Sequence, residues 1–324
     1  MRIGYFADGP WSHLALKKIA EDDRFNVCFI VPRFDAPDPV LADWARRLGV
    51  DFLPLRDVNA PERLAVLERH EADLFVSMSF NQILKKPLLA LPRHGSINCH
   101  AGALPFYRGR NILNWALIND AKEFGVTVHF IDEGIDTGDI IHQRTAPICD
   151  SDTYATLLDR AVVLCADVLH EALVGLATGV IHRRPQATIH PVGFYCGRRI
   201  HGDEWIDWNW SSRRIFNFVR AITTPGPCAR SMVDGHEVLV RRTALIPNAL
   251  NYIGTPGEII GVKDEGIVVK TGDSTILLLD VDGDSEIRFR IGQRLGRNCA
   301  SIVDELLQRI NSLEQSIRLL NTIS

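Results

Sequence analysis

This chain of 324 residues predicts an α/β fold with a doubly wound parallel sheet, followed by a smaller β domain. Two observations carry that prediction. Over residues 1–80 short apolar runs alternate with helical patterns, as they do in open parallel sheets. Beyond about residue 203 the composition shifts to short strands divided by hairpin signals.

The elements follow in order. Ile3–Phe6 reads as the first strand, with a helix from about Trp11 to Glu21 after it. Val27–Val31 is a second strand, then come a helix around Val40–Leu48 and a short strand at Asp51–Leu53. A helix near Pro61–His70 and the β-rich run Leu74–Met78 continue the alternation, and Ile97–His100 is a further strand. Thr153 to Leu176 carries Leu157, Leu158, Ala161, Leu164, Leu169 and Leu173 at helical spacing, with Ser151 or Asp152 offering the N-cap. Gly179 to about Asp203, with Pro185, Pro191, Gly193 and Gly197, reads as an ordered linker. Strands are then expected at Arg230–Val233, Val238–Arg242, Thr255–Val262, Gly266–Lys270 and Thr275–Val281, divided by Asp234-Gly235, Asp264-Glu265-Gly266 and Gly272-Asp273. Closely spaced strands of this kind make a small barrel or sandwich. In the tail Val303, Leu306, Ile310, Leu313, Ile317 and Leu320 recur at alternating spacings of three and four. That is a coiled-coil seam, or a helix lying back on its own barrel.

Bulk properties set limits on function. With 46% hydrophobic and 23% charged residues the chain reads as globular and long enough for two cores. Its net charge is −4, from 36 Lys+Arg against 40 Asp+Glu, and no long basic run offers a sequence-independent hold on nucleic acid. The apolar run at Ile3–Phe6 is too short for a signal peptide, and no window approaches about 18 uninterrupted apolar residues, so no membrane segment is expected. Seven cysteines, at Cys28, Cys99, Cys149, Cys165, Cys196, Cys228 and Cys299, form no Cys-x-x-Cys pair. They imply reduced thiols in a cytoplasmic protein, with no metal site. Neither a dinucleotide fingerprint nor a P-loop follows the first strand.

The chemistry concentrates at Asn98-Cys99-His100, the loop Leu104-Pro105-Phe106-Tyr107-Arg108-Gly109, and the turn Asp136-Thr137-Gly138-Asp139. Positions i and i+2 of a strand share a face, so Asn98 and His100 would point into one space and Cys99 away from it. An amide can steady an oxyanion, an imidazole can take a proton, and Asp136 can fix the imidazole. These are the parts of an acyl-transfer site without a protein nucleophile. His129, beside Val128 and Phe130 on a β-patterned run, reads as a core or supporting residue. Trp205, Trp208 and Trp210 read as packing, sealing the seam between the two domains.

The block from His100-Ala-Gly-Ala-Leu-Pro-Phe-Tyr-Arg-Gly through Trp115-Ala-Leu-Ile-Asn, Gly125-Val-Thr-Val-His and Gly134-Ile-Asp-Thr-Gly-Asp resembles the folate-dependent formyltransferases. The family includes methionyl-tRNA, glycinamide ribonucleotide and sugar N-formyltransferases. The resemblance is strong from about residue 74 to 180 and weaker from about 190 to 296. It implies a Rossmann-like formyltransferase domain with a parallel-rich sheet at 1–180 and a linker at 181–203. An OB-like β-barrel at 204–298 and a C-terminal helix at 299–324, a possible dimerisation element, would complete the chain. It also implies N10-formyltetrahydrofolate as donor, Asn98 as oxyanion donor, His100 as proton acceptor or relay, and Asp136 as the partner that orients His100. The folate would lie along Phe80, Asn81, Gln82 and Ile83, closed on the other side by the turn of Asp132 and Gly134.

Tyr107, Arg108, Arg110 and Asn111 are expected at the acceptor, with Arg110 and Asn111 at a helix start facing phosphate. Arg108 has a second reading, satisfying loop carbonyls. Arg198 and Arg199 suit a diphosphate or, on the alternative reading, are solvated surface arginines. The acidic stretch Pro32-Arg33-Phe34-Asp35-Ala36-Pro37-Asp38-Pro39 stands where transfer-RNA enzymes carry a basic insertion. The stretch Tyr107–Trp115 and Gly197-Arg198-Arg199 resemble the sugar enzymes, which points to an acceptor amine, at C4 or else C3, on a nucleotide-linked amino-dideoxy sugar, best dTDP-4-amino-4,6-dideoxyhexose with GDP- or UDP-sugars behind, for O-antigen synthesis. The expected partners are that small molecule and a second copy in a homodimer, with no nucleic acid and no membrane. The alternatives are a methionyl-tRNA formyltransferase or a non-catalytic folate-binding protein.

Overall fold

The apolar runs Arg2–Ala7 (β1) and Leu74–Met78 (β4) are buried along almost their whole length, so they can only be interior strands with both faces covered. The computed structural model of the chain describes residues 1–283, 287–296, 303, 306, 307 and 309–314. It divides into two units, Met1–Ile200 and His201–Ser324.

In the first unit β1 leads through α1 (Pro10–Ala20) to β2 (Asn26–Val31), then α2 (Pro39–Leu48), β3 (Asp51–Phe52), α3 (Pro61–Glu68), β4, α4 (Lys86–Leu89) and β5 (Ser96–His100). Each strand of this series pairs in parallel with its neighbour. Asp38 starts α2 by accepting from Val40 and Leu41 backbone N–H, and Gly49 ends it at φ 66°. After β5 come β6 (Arg108–Gly109), α5 (Ile112–Ile118), β7 (Glu123–Phe130), β8 (Ile140–Pro147), α6 (Tyr154–Thr178) and β9 (Tyr195–Cys196). The main sheet has the order β3-β2-β1-β4-β5-β7-β8.

The sheet is parallel-rich, as expected, but β7 and β8 are antiparallel additions. His100 pairs with Thr127, so β7 begins at the end where β5 finishes and runs back along it. One face of the sheet, including Ile97, Cys99, Val126 and Val128, packs with α1 and α6 in a single core. On the other face Phe6, Phe29 and Phe75 pack with Leu67, Leu84 and Leu88, but this cluster holds no residue of β5, β7 or β8. There the alternate positions Asn98, His100, Thr127 and His129 are polar. α6 is 25 residues long and apolar enough to cross a membrane by composition, yet Leu157, Ala161, Cys165, Leu169 and Leu173 are buried against the sheet. Its N-cap is Thr153, in a reciprocal box with Thr156, and neither Ser151 nor Asp152 fills that position. Asp152 instead accepts from Cys149 N–H, Thr156 Oγ1 and Arg160.

In the second unit α7 (Ser212–Ile222) precedes β10 (Ala229–Val233), β11 (His236–Leu245), β12 (Ile259–Lys263), β13 (Gly266–Lys270) and β14 (Thr275–Gly283). The strands form an antiparallel sheet of order β10-β11-β14-β13-β12. Only strands are expected there from composition, yet Ile215, Phe218, Val219 and Ile222 recur at helical spacing and are buried, which makes α7 an amphipathic core helix. Trp208 is buried in this unit with its indole N–H on Ser231 Oγ, and Trp210 packs edge-on to Phe218. In the tail Val303, Leu306, Ile310 and Leu313 are helical and at least 50% exposed. The other seam positions, Ile317 and Leu320, lie outside the described residues, as do Ile302 and Cys299.

Candidate active site

Asn98 and His100 stand on one face of β5, and the antiparallel register sets His129 opposite Asn98. Cys99 is buried on the far side with α6. The face is roofed by three loops: residues 101–111, the turn at 131–139, and the segment 184–200.

The first loop fixes His100. Its Nε2–H donates to the Tyr107 carbonyl at 2.7 Å, since a carbonyl can only accept. In the neutral ring the lone pair therefore lies on Nδ1, the nitrogen 3.6 Å from Asp136 Oδ2. Tyr107 adopts φ 55° to aim its carbonyl this way. Gly102 makes the approach possible: a Cβ there would come within 2.6 Å of both His100 Nε2 and the Tyr107 oxygen. Thr127 Oγ1 and Gln143 Nε2 hold this loop by bonding to Gly102 O and Leu104 O respectively.

Asp136 is held separately. Oδ2 accepts from Gly109 N–H at 2.9 Å, and Oδ1 lies 3.4 Å from His129 Nε2. His129 in turn donates from Nδ1 to Phe130 O at 2.8 Å and faces the Asn98 amide at 3.4 Å. Burial works against a charge on Asp136, but His129, His100 and the Gly109 N–H outweigh it and hold the carboxyl at about 2. Burial lowers the pKa of His100, which the Asp136 charge and the Tyr107 carbonyl oppose only in part. The resting site is thus a neutral imidazole beside an ionised carboxylate. Asp136 does not orient the ring by a hydrogen bond, as the sequence analysis expects; the Tyr107 carbonyl does, and Asp136 sits where it favours the protonated ring. His129 belongs in the site as well. Its sign in the sequence is that Thr127 and His129 alternate with the buried Val126 and Val128.

The expected acceptor residues separate into two groups. The Arg108 guanidinium is buried: Nε and Nη2 donate to Gln186 Oε1 and Nη1 to Val192 O, over the Tyr195 ring. Its donors are turned to the protein, where they satisfy Gln186 and a loop carbonyl, and do not face an acceptor as expected. The Asn111 side chain accepts from Arg199 N–H and does not cap α5, and Arg199 lies over Trp115. Arg110 and Arg198 are exposed and have no carboxylate partner among the described residues. The parallel β6–β9 ladder pairs Gly109 with Cys196, which brings their two segments side by side.

The expected folate loop fits a ligand that reads backbone. Phe80 packs on Phe6, while Asn81 and Ile83 are exposed. The Gln82 side chain is locked between Val58 N–H and Leu55 O, and the backbone groups of Phe80, Asn81 and Gln82 make no hydrogen bond among the described residues. Asp132 Oδ1 accepts from Gly134 N–H and Thr137 Oγ1, which closes the turn ahead of Asp136.

Residues 36–173 match the formyl transferase family, and residues 200–290 match the formyl transferase C-terminal domain. The chain belongs to the formyl transferase family. A methionyl-tRNA formyltransferase of Geotalea uraniireducens (strain Rf4) is 34% identical over 303 residues, covering 91% of this chain and 94% of that protein. Among solved structures, an N-formyltransferase from Helicobacter canadensis with folinic acid and dTDP-3-aminofucose shares the fold at TM-score 0.63 and 20% identity, over 86% of this chain and 98% of that one. The sugar 3N-formyltransferase WlaRD with dTDP and 5-N-formyl-THF does so at 0.62 and 19%, over 89% and 99%. The chain is a folate-dependent formyltransferase that takes its formyl group from N10-formyltetrahydrofolate.

NMR titration of labelled histidines, with the signal assigned by its loss in His100→Asn, should place His100 below the ordinary imidazole value of about 6.5. In Asp136→Asn it should fall further, because the charge that favours the imidazolium is gone. A midpoint above about 6.5 in the unaltered protein contradicts the neutral resting ring.

Proposed function

We propose that this formyltransferase acts on the amine of a nucleotide-linked amino-dideoxy sugar, with a dTDP-4-amino-4,6-dideoxyhexose for O-antigen synthesis as the leading candidate. The observation that carries the reading is that Arg110 and Arg198, exposed and without a carboxylate partner among the described residues, each follow a strand of the paired β6–β9 ladder. Two exposed guanidinium groups there suit a diphosphate. The only basic residue of the 32–39 loop is Arg33, and it is already neutralised by Asp8 at 3.3 Å and Asp35 at 2.8 Å. That leaves the loop acidic, which disfavours a phosphate backbone. We place the reaction in the cytoplasm, in keeping with the free cysteines among the described residues. The sequence relatives favour a second reading, methionyl-tRNA as acceptor.

The donor supplies the formyl carbon, held against the loop of Phe80, Asn81, Gln82 and Ile83 and closed over by the turn of Asp132 and Gly134. Asn98 Nδ2 meets the oxygen on which negative charge develops. The attacking amine gives up a proton to His100 Nδ1 as its bond to the formyl carbon forms; the bond from that carbon to the donor nitrogen then breaks, and His100 returns the proton to the departing tetrahydrofolate nitrogen. The imidazolium so formed faces Asp136, whose charge is worth more to it than to the neutral ring, so the carboxylate lowers the barrier and not merely the ground state. Tyr107 O keeps Nε2 out of the exchange.

A panel of amino-sugar nucleotides and charged initiator tRNA, each incubated with N10-formyltetrahydrofolate and read by mass spectrometry, should show one formyl group gained on one sugar. Formylation of the tRNA at matching rates would establish the second reading. With the acceptor in hand, Asn98→Ala should lose about 10²–10³-fold in turnover while donor affinity changes little.

We further propose a homodimer built on the tail. β-Branched residues occupy its a positions and leucines its d positions, the distribution of a parallel two-stranded coil, and the described seam residues are half-exposed. Light scattering should give a dimer for the full chain and a monomer for Ile310→Glu; a dimeric variant would put the contact elsewhere.

A further inference from the structure

We propose that Gln186 is a positioning residue for the transfer, acting through the Asp136 turn. It lies in the segment expected only as a linker, between the stretches 36–173 and 200–290 that carry the family match. Yet it is buried to 3% exposure, on a 3-10 turn of Gln186–Thr188, beneath the site.

All four of its hydrogen-bonding positions are used. Oε1 accepts from Arg108 Nε at 3.1 Å and Nη2 at 2.7 Å. Nε2 donates to the Asp136 and Gly138 carbonyls, both at 2.8 Å. A side-chain amide is the group that can do both, because it presents an acceptor to the guanidinium and two donors to the carbonyls. A carboxylate would keep the first pair and turn charge against the carbonyls.

The two carbonyls it binds are those of the turn that aims the catalytic carboxylate. Asp136 sits at φ 53°, in the left-handed region that a side chain disfavours, so its conformation needs support from outside the turn. Gln186 supplies that support from the main-chain side, while Gly109 N–H and His129 engage the carboxylate. Arg108 also belongs to the strand pair that carries Gly109. One buried amide therefore locks the acceptor loop and the carboxylate turn into a common register. Without it the turn is free to relax, and Asp136 retreats from His100.

The inference rests on the roles proposed for His100 and Asp136 but on no particular acceptor. The test compares Gln186→Leu, which loses all four bonds, with Gln186→Glu, which keeps the Arg108 pair and serves if the leucine variant does not fold. In both, kcat with the best acceptor should fall by roughly 10–10²-fold, the scale of an ångström's misplacement, with the donor KM little changed. The second readout is the His100 titration, which needs no acceptor. It should move down in Gln186→Leu, because the charge that favours the imidazolium has withdrawn. The same substitution in an Asp136→Asn background should leave it unmoved. The titratable groups facing His100 are Asp136 and His129, and Gln186→Glu would add a third, so that variant is read by kcat alone. A variant that loses only thermal stability, with kcat and the His100 midpoint unchanged, makes Gln186 structural and overturns the proposal. Should no acceptor turn over with the unaltered protein, the acceptor assignment fails, and the titration still decides the role of Gln186.

Discussion

An ionised carboxylate held in a largely buried site must be compensated on every side, and Asp136 is the group around which the candidate site is arranged. Gly109 N–H binds one oxygen, His129 stands by the other, and Gln186 grips the main chain behind it. These contacts come from β6, β7 and the segment after α6, elements distant in sequence. The sheet brings them together because β7 returns antiparallel along β5 and places His129 beside Asn98. Were β7 parallel, that cross-strand pairing would not arise.

The amino-terminal elements are legible because each is a local pattern: apolar runs for β1, β2 and β4, and helical periods for α1 and α2. Asn98 and His100 are legible for the same reason, since residues two apart on a strand share a face whatever the tertiary structure. What the letters do not display is strand direction, which depends on where α5 delivers the chain. The partner that fixes His100 is likewise hidden, because it is a backbone carbonyl and Tyr107 enters only through its φ. Gln186 gives no signal at all in a stretch read as Pro/Gly-rich linker. Helix α7 did give one, in the spacing of Ile215, Phe218, Val219 and Ile222, but a composition weighted towards strands masks it.

Arginine placement follows the same logic of context. Arg33, Arg108, Arg110 and Arg198 are alike as letters, yet one is neutralised by two carboxylates, one is buried on an amide, and two face solvent without a carboxylate among the described residues. Discrimination between acceptors is a difference of affinities, so the neutralised arginine matters as much as the free ones. On the proposed reading, an anionic polymer would lose a foothold at the 32–39 loop that a compact diphosphate does not need.

The segment from Arg184 to Ile200 has a consequence for how such proteins can be recombined. Arg184 bridges to Ile140, Gln186 reaches the carboxylate turn, and Tyr195–Cys196 pairs with the acceptor loop before the chain enters the second unit. The natural graft junction is therefore after Ile200 and not at the end of α6. A chimera that exchanges second units at that later point carries the wall of its candidate site with it, whereas one spliced at Thr178 would inherit a wall shaped for another enzyme's loop.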